Sequence, residues 1–289
     1  MKLITWNIQW ARGIDGAVDT ARIARTANKL ADFDVLCLQE VAVNFPGLPG
    51  GHIGDQVIEL SKSLPGYSAH YGAALDVDDG HGGRSLFGNL ILSRLPVMQV
   101  YRHLLPRPLD PAVKSMQRIA VEAIIEAPWG PLRLITTHLE YYSASQRMAQ
   151  AGALRVLHAE ACAQAASVRP AEKADGPFRA RPRPASAILA GDFNCQSVDP
   201  EYLRIMEGFD AEGTPAFLDA WTIAHPHEPY PPSAGIYERS WAKTPLCCDF
   251  VFVTADIAPR VRSVAIDGHT QASDHQPVVV DFGGHPASA

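Results

Sequence analysis

The sequence predicts an α/β protein, and three observations carry that expectation. Short apolar runs rich in Val, Ile, Leu and Phe alternate with segments whose apolar residues recur at helical spacing. The 289 residues are 47% hydrophobic, enough to fill a substantial core. Polar residues stand repeatedly where the apolar runs end, the place where α/β scaffolds gather their clefts.

Taken in order, residues 3–8 are short and rich in β-formers and predict the first strand. Residues 19–30 place Ile23, Ala24, Ala27 and Leu30 on one helical face. The continuously apolar 34–38 predicts a buried strand with Gln39 and Glu40 at its C-terminal end. A Gly-rich loop over 44–54, a helix over 55–64 and a strand over 67–72 follow, then a second loop over 80–84 and a strand over 89–93 ended by Pro96. Residues 118–125 and 132–139 predict a hairpin turning at Pro128, Trp129 and Gly130. The Ala-, Leu- and Gln-rich 145–166 predicts a long helix with Met148, Ala151, Leu154, Leu157 and Ala161 on its packed face. The prolines and charges of 169–184 predict an exposed loop.

Residues 187–190 predict a short buried strand running into Gly191, Asp192, Phe193 and Asn194. A short helix over 199–208, a structured segment over 217–222 and a Pro-rich loop over 225–233 come next, before strands over 250–253, 261–266 and 277–280. The loops near Ala42 to Gly54 and Pro226 to Pro232 are expected as pocket walls. No internal linker divides the chain, so one domain over 1–283 is expected, with 284–289 as a flexible tail.

Composition narrows the function classes. With 25 basic against 31 acidic residues the formal net charge is −6, and no Lys/Arg block offers a broad grip on a nucleic-acid backbone. The chain opens directly into strand-forming residues, and no segment approaches the roughly 18 apolar residues of a membrane span. Five cysteines without metal-ligand spacing predict a reducing, cytoplasmic setting, with Cys247 and Cys248 as packing residues. No Gly-rich dinucleotide loop, Walker loop or nucleophile elbow is present.

Asn7, Glu40, His138, Asp192, Asn194, Asp249, Asp274 and His275 all stand at or beside predicted strand ends. Such carboxylates and amides suit a hard cation, Mg²⁺ or Mn²⁺, which neutralises phosphate charge while a fixed carboxylate orients water. Residue types alone also leave a sugar-binding or otherwise non-catalytic protein open.

The stretches TWNI (5–8), LQE (38–40), GNLILSRLPV (88–97), THL (137–139), GDFN (191–194), DFVFV (249–253) and SDHQPV (273–278) settle the choice as a series. In that order, over nearly the whole chain, they resemble the motifs of the endonuclease/exonuclease/phosphatase superfamily. The resemblance implies a four-layer α/β sandwich, with two mixed sheets facing one another and helices outside. It implies Glu40 as principal Mg²⁺ ligand, with Asn7 close to metal and phosphate, and Asp192 and Asn194 as the pair that orients the attacking water. His275 resembles the histidine that stabilises the phosphoryl group, held by Asp249. Asp274 would bind the metal or its water, or tie down the loop presenting His275. His138 would donate to a phosphate oxygen. Asn89 would support the floor of the site or serve packing alone, and Arg118 would meet phosphate or form an ordinary ion pair.

Gln9 stands where abasic-site repair enzymes carry an acid, and the tyrosine motif of that branch is absent. Both departures argue against abasic-site cleavage, and the neutral Gln9 favours a single-metal site anchored mainly by Glu40. THLE at 137–140, followed by Ser145, Arg147 and Gln150, locally resembles the branch containing tyrosyl-DNA phosphodiesterases. The expected function is a Mg²⁺-dependent phosphodiesterase or nuclease acting on a phosphate ester such as a nucleic acid or nucleotide. The alternatives are a phosphomonoesterase of a nucleotide, inositol phosphate or sugar phosphate, and a non-catalytic binding protein on the same fold.

Overall fold

The computed structural model describes residues 1–51, 53–167, 176–178 and 181–283. The expected tail at 284–289 and most of the expected loop at 169–184 lie outside the described residues. Twelve strands and five helices alternate through the described chain. The first part carries β1 (Lys2–Asn7), α1 (Thr20–Leu30), β2 (Val35–Val43), α2 (Gln56–Ser63), β3 (Ser68–Asp78), β4 (Arg84–Ser93) and β5 (Val97–Leu104). The rest carries β6 (Ile119–Ala127), β7 (Gly130–His138), α3 (Ala144–Ala166), β8 (Ala187–Asp192), α4 (Pro200–Met206), β9 (Phe217–Asp219), α5 (Ala220–Ala224), β10 (Asp249–Thr254), β11 (Val261–Ile266) and β12 (Val278–Phe282).

Alternation along the strands decides how these elements stack. In β1 and β2, Leu3, Val35 and Cys37 point to one face and Ile4, Trp6, Leu36 and Leu38 to the other. The first set meets Val121, Ala123, Leu134, Ile188, Ala190 and Val251 of the opposite sheet. The second set is covered by Ile23, Ala24 and Ala27 of α1 and by Leu60 of α2. On the far side Ile135, Leu189, Phe250 and Phe252 pack under Ala151 and Leu154 of α3 and Tyr202 and Ile205 of α4. Three apolar interfaces therefore separate four layers, helix, sheet, sheet and helix, the expected sandwich. Each fully buried aliphatic side chain stabilises the stack by about 1.5–3 kcal/mol.

The sheets have six strands each, in the orders β11-β12-β1-β2-β4-β3 and β5-β6-β7-β8-β10-β9. Each is mixed: β1 and β2 pair in parallel, as do β7 and β8, and the other neighbours are antiparallel. A parallel pair brings two C-terminal strand ends to the same edge. Asn7 stands opposite Gln39 in the first sheet, and His138 opposite Asp192 in the second.

Sequence patterning mislaid several boundaries. β5 was not expected, because Pro96 ends one run and an edge strand that is half-buried and exposed by turns shows no apolar signal. β3 and β4 run on to Asp78 and back to Arg84, beyond the expected ends at residue 72 and residue 89. The packed face of α3 also differs. Met148 and Leu157 are only half-buried, whereas Gln146, Gln150, Arg155, His158 and Cys162 are buried beside Ala151, Leu154 and Ala161. Those polar groups find partners: Gln150 donates to the Pro106 carbonyl and accepts from Glu140 N–H, and Arg155 donates to the Gly208 carbonyl. Arg183, in the loop expected to be exposed, is buried and bound at 2.9 and 2.8 Å to the two carboxylate oxygens of Glu122. Among the described residues no helix is long and apolar enough to cross a membrane.

Candidate active site

The C-terminal ends of both parallel pairs open onto one cleft of about 280 Å³, lined by Glu40, Arg118, His138, Asn194, Asp274 and His275. Local backbone geometry aims these side chains. Glu40 lies where the β2–β4 register shifts between Leu38 and Val41, with φ +60°, so a bulge turns its carboxylate out of the ladder. Gln9 and Trp10 follow β1 with φ +46° and +44°, which turns both toward the cleft. Gly191 is required before Asp192: its φ is +147°, and a Cβ there would stand 1.9 Å from the Thr137 carbonyl oxygen.

Asp192 is the meeting point of the hydrogen bonds. Its Oδ1 accepts the Asn194 backbone N–H at 2.9 Å, its Oδ2 accepts Asn7 Nδ2 at 2.9 Å, and His138 Nε2 stands 3.3 Å from Oδ2. Asn7 also donates to Glu40 Oε1 at 3.2 Å, while its oxygen accepts Gln9 N–H at 3.0 Å. The amide thus presents nitrogen, not oxygen, to the carboxylates. As it stands, Asn7 is a donor between two acids.

Asn194 fixes the state of His138. Its Nδ2 donates to the Leu139 carbonyl and to His138 Nε2, both at 2.9 Å. The ring therefore accepts at Nε2 and carries its proton on Nδ1, 3.9 Å from Glu40 Oε1. Burial, then the Arg118 charge, push its pKa down to about 3, so the ring is neutral near pH 7. The bonds drawn by Asn194 use its nitrogen, and its side chain lines the cleft.

His275 is the opposite case. Its Nδ1 donates to Asp249 Oδ2 at 2.9 Å, and its Nε2 stands 3.7 Å from Asp192 Oδ2. Burial opposes the charged ring, but Asp249 and then Asp192 outweigh it and hold the pKa well above the ordinary value. Asp249 is itself held by Ser233, whose Oγ donates to Oδ2 at 2.7 Å and accepts the backbone N–H groups of Cys248 and Asp249. The His275 loop is tied to β1, since Trp6 Nε1 donates to the His275 carbonyl and Ser273 Oγ to the Asn7 carbonyl.

The acidic side of the cleft is an all-oxygen donor set. Burial, then Asp274 and Asp192, push the Glu40 carboxyl up to about 7, although 19% of its side chain remains exposed. Carboxylates gathered this way suit a divalent cation at Glu40 and Asp274. Asp274 also ties down its surroundings, accepting Gln9 Nε2 at 2.9 Å and Trp241 Nε1 at 3.0 Å on Oδ2.

Arg118 forms the expected ion pair, Nε to buried Glu140 at 3.2 Å, and its side chain lines the cleft beside His138. Asn89 is placed for packing, donating from β4 to the Ile119 carbonyl of β6 and so bridging the sheets. The two expected wall loops do not line the cleft; Trp10, Tyr141, Tyr142 and Trp241 do. The 44–54 loop acts indirectly, with the Pro49 carbonyl accepting Trp10 Nε1, and the Pro-rich loop ends at Ser233. Ser233 and Glu140 were missed as site residues, because a serine after prolines and an acid after Leu139 have no periodic signature.

The sequence matches the profile of the Endonuclease/Exonuclease/phosphatase family over residues 4–275. No match is found among curated proteins. Among solved structures, an endonuclease/exonuclease/phosphatase from Beutenbergia cavernae is 26% identical with TM-score 0.67, covering 100% of this chain and 73% of its own. A mannosyl-6-phosphatase from Bacteroides thetaiotaomicron is 17% identical with TM-score 0.62, covering 98% and 99%. A humanized TDP2 of D. rerio is 23% identical with TM-score 0.61, covering 98% of each chain. Sandwich, site geometry and a match over nearly its whole length together place this chain in the endonuclease/exonuclease/phosphatase family, whose members are phosphoester hydrolases.

Proposed function

We propose that this chain hydrolyses phosphate esters with one Mg²⁺ or Mn²⁺ ion bound at Glu40 and Asp274, and that phosphodiesters, nucleic acids or nucleotides among them, are its preferred class. The observation that carries the reading is the convergence of Glu40, Asn7, Asp192, Asn194, His138 and the Asp249–His275 pair on one cleft. A bound divalent cation would neutralise phosphate charge and stabilise the departing oxygen.

The chain's own groups account for the rest. Asp192, fixed by Asn7 and the Asn194 backbone, orients a water for in-line attack on phosphorus, with the Asn194 amide oxygen as its second acceptor. The water's proton passes toward Asp192 as the bond to phosphorus forms. Neutral His138 offers Nδ1–H to a non-bridging oxygen, while Asn7, whose two Nδ2 hydrogens go to Glu40 and Asp192, holds both acids in place beside the phosphate. Charged His275, kept so by Asp249, faces the negative charge that grows in the transition state. Arg118, anchored by Glu140, turns its remaining guanidinium N–H groups toward phosphate.

Phosphodiesters are preferred because Trp10, Tyr141, Tyr142 and Trp241 line the cleft and offer apolar surface to a substituent carried by the phosphate. Likeness to a mannosyl-6-phosphatase makes phosphomonoesters the second reading. A non-catalytic role is disfavoured by Glu40, Asp192 and His275 facing one cleft. Five buried, free thiols support work in the reducing cytoplasm.

The test is product identification by mass spectrometry, with Mg²⁺ or chelator and a Glu40→Ala control. The panel is single-stranded and duplex DNA, RNA, nucleotides, phospholipids, inositol phosphates and phosphomonoesters. Metal-dependent cleavage lost in the control supports the reading, and the product ends separate diesterase from monoesterase. Folded, metal-binding protein that turns over no member of the panel counts against it.

A further inference from the structure

Cys248 was expected to be packing, yet its surroundings are those of a ligand. One ligand atom each from Asp192, Cys248 and His275 lies within 4.8 Å of the other two, and all three residues are buried. Cys248 Sγ is 3.9 Å from His275 Nδ1, and its S–H points at Asp249 Oδ2, 3.6 Å away. Asp249 supplies an independent observation: it is 2% exposed, and its Oδ1 has no hydrogen-bond partner. A buried carboxylate oxygen left without a donor is costly unless something else meets it.

We propose that Asp192, Cys248 and His275 form an inhibitory site for a thiophilic divalent ion, Zn²⁺ foremost, distinct from the hard-cation site at Glu40. The donor set is one sulfur, one imidazole nitrogen and one carboxylate oxygen, with a water for the fourth corner. Such a set selects Zn²⁺ over Mg²⁺, which takes oxygen ligands. A tetrahedral zinc holds its ligand atoms roughly 3.3–3.8 Å apart, so side-chain movements of about 1 Å close the cage. His275 lines the open cleft, so an ion arriving there meets the imidazole first. Binding releases the thiol proton and leaves the sulfur as thiolate. It also removes Asp192 and His275 from the hydrolytic step, so zinc opposes turnover that Mg²⁺ supports. Inhibition, but not binding, rests on the hydrolase reading.

The experiment titrates Zn²⁺ into the protein with Mg²⁺ present, comparing wild type with Cys248→Ala and Cys247→Ala by competition against a chromophoric chelator. Co²⁺ serves as a spectroscopic stand-in. Cys247 lies outside the cluster and is the control. The expected result is one tight zinc in wild type and in Cys247→Ala, weakened about tenfold or more in Cys248→Ala. A cobalt–thiolate charge-transfer band should appear in wild type and be lost in Cys248→Ala. Zinc inhibition of Mg²⁺-supported hydrolysis, measured against each protein's own zinc-free rate, should weaken by the same factor. Equal zinc affinity in wild type and Cys248→Ala overturns the proposal, as does cobalt binding to wild type without the thiolate band. The band on wild type decides even if Cys248→Ala does not fold, and neither binding arm depends on finding a substrate.

Discussion

Three side chains with three different environments carry the residue-scale predictions. Glu40 and Asp192 share Asn7 as a donor, Asp192 is also held by the Asn194 backbone N–H, and His275 is held by Asp249. Glu40→Ala, Asp192→Ala and His275→Ala are each expected to lower kcat by about 10²–10⁴-fold, with a nearly unchanged thermal midpoint for Glu40→Ala and a lowered one for Asp192→Ala and His275→Ala, which leave buried partners unpaired; wild-type turnover in all three would remove the assigned roles. Asp249→Asn tests the charged state of His275. Because the folded pKa is raised above the unfolded value, the pair's stabilisation is complete below about pH 6.5 and is lost as pH rises through the folded value. Asp249→Asn should therefore cost about 3 kcal/mol near pH 6. In urea unfolding its gap to wild type should narrow toward alkaline pH; a gap independent of pH would count against a charged ring. At this scale the sequence was informative where a polar residue interrupts an apolar run, as at Asn7, Asp192 and Asp249. It was silent on Ser233 and took Cys248 for packing, because folding alone brings them their neighbours: Asp249 and, across 27 residues, His275.

Elements hold these residues through a few backbone demands. The carbonyl of Thr137 in β7 lies so close to Gly191 in β8 that no side chain fits. Gly191→Ala should cost about 2–4 kcal/mol and disturb Asp192, lowering both the thermal midpoint and kcat; a variant with wild-type values of both would show that the strands can part without consequence. The other demand is electrostatic. Glu122 of β6 joins His103 of β5 and Arg183, and its carboxyl is brought down to about 2: burial opposes ionisation, but hydrogen bonds from Arg183 and His103 outweigh it. A depressed carboxylate pKa stabilises above the unfolded value of 4.5 and loses that contribution as pH falls toward 2. Glu122→Gln should cost about 3 kcal/mol at neutral pH and flatten the decline of stability between about pH 4.5 and 2. Chemical unfolding across that window checks it. Helices and buried strands were readable because burial imposes period; β5 and the polar face of α3 were not, since an edge strand and a hydrogen-bonded glutamine or arginine carry no apolar signature.

At the scale of the molecule, the sandwich follows from two-faced strands. Leu3 and Ile4 commit β1 to two different cores, and such commitments in twelve strands leave little choice but four layers. Alternation alone did not reveal which strands lie side by side; the order of the motifs did, through family resemblance. Hydrogen bonds then pin the two sheets across their interface, from Gln39 Nε2 to Thr136 Oγ1 at 2.8 Å and from Asn89 Nδ2 to the Ile119 carbonyl at 2.9 Å. Asn7 and Glu40 belong to one sheet, His138, Asp192 and Asp249 to the other. Neither sheet owns a working site, so during refolding the secondary structure can be complete while the enzyme is still inert. Recovery of turnover after dilution from denaturant should lag behind recovery of the far-ultraviolet dichroism signal and coincide with recovery of the near-ultraviolet signal, which reports fixed side-chain packing. Catalysis in this architecture is a late event of assembly, and a half-formed molecule does not attack phosphate esters before it has finished folding.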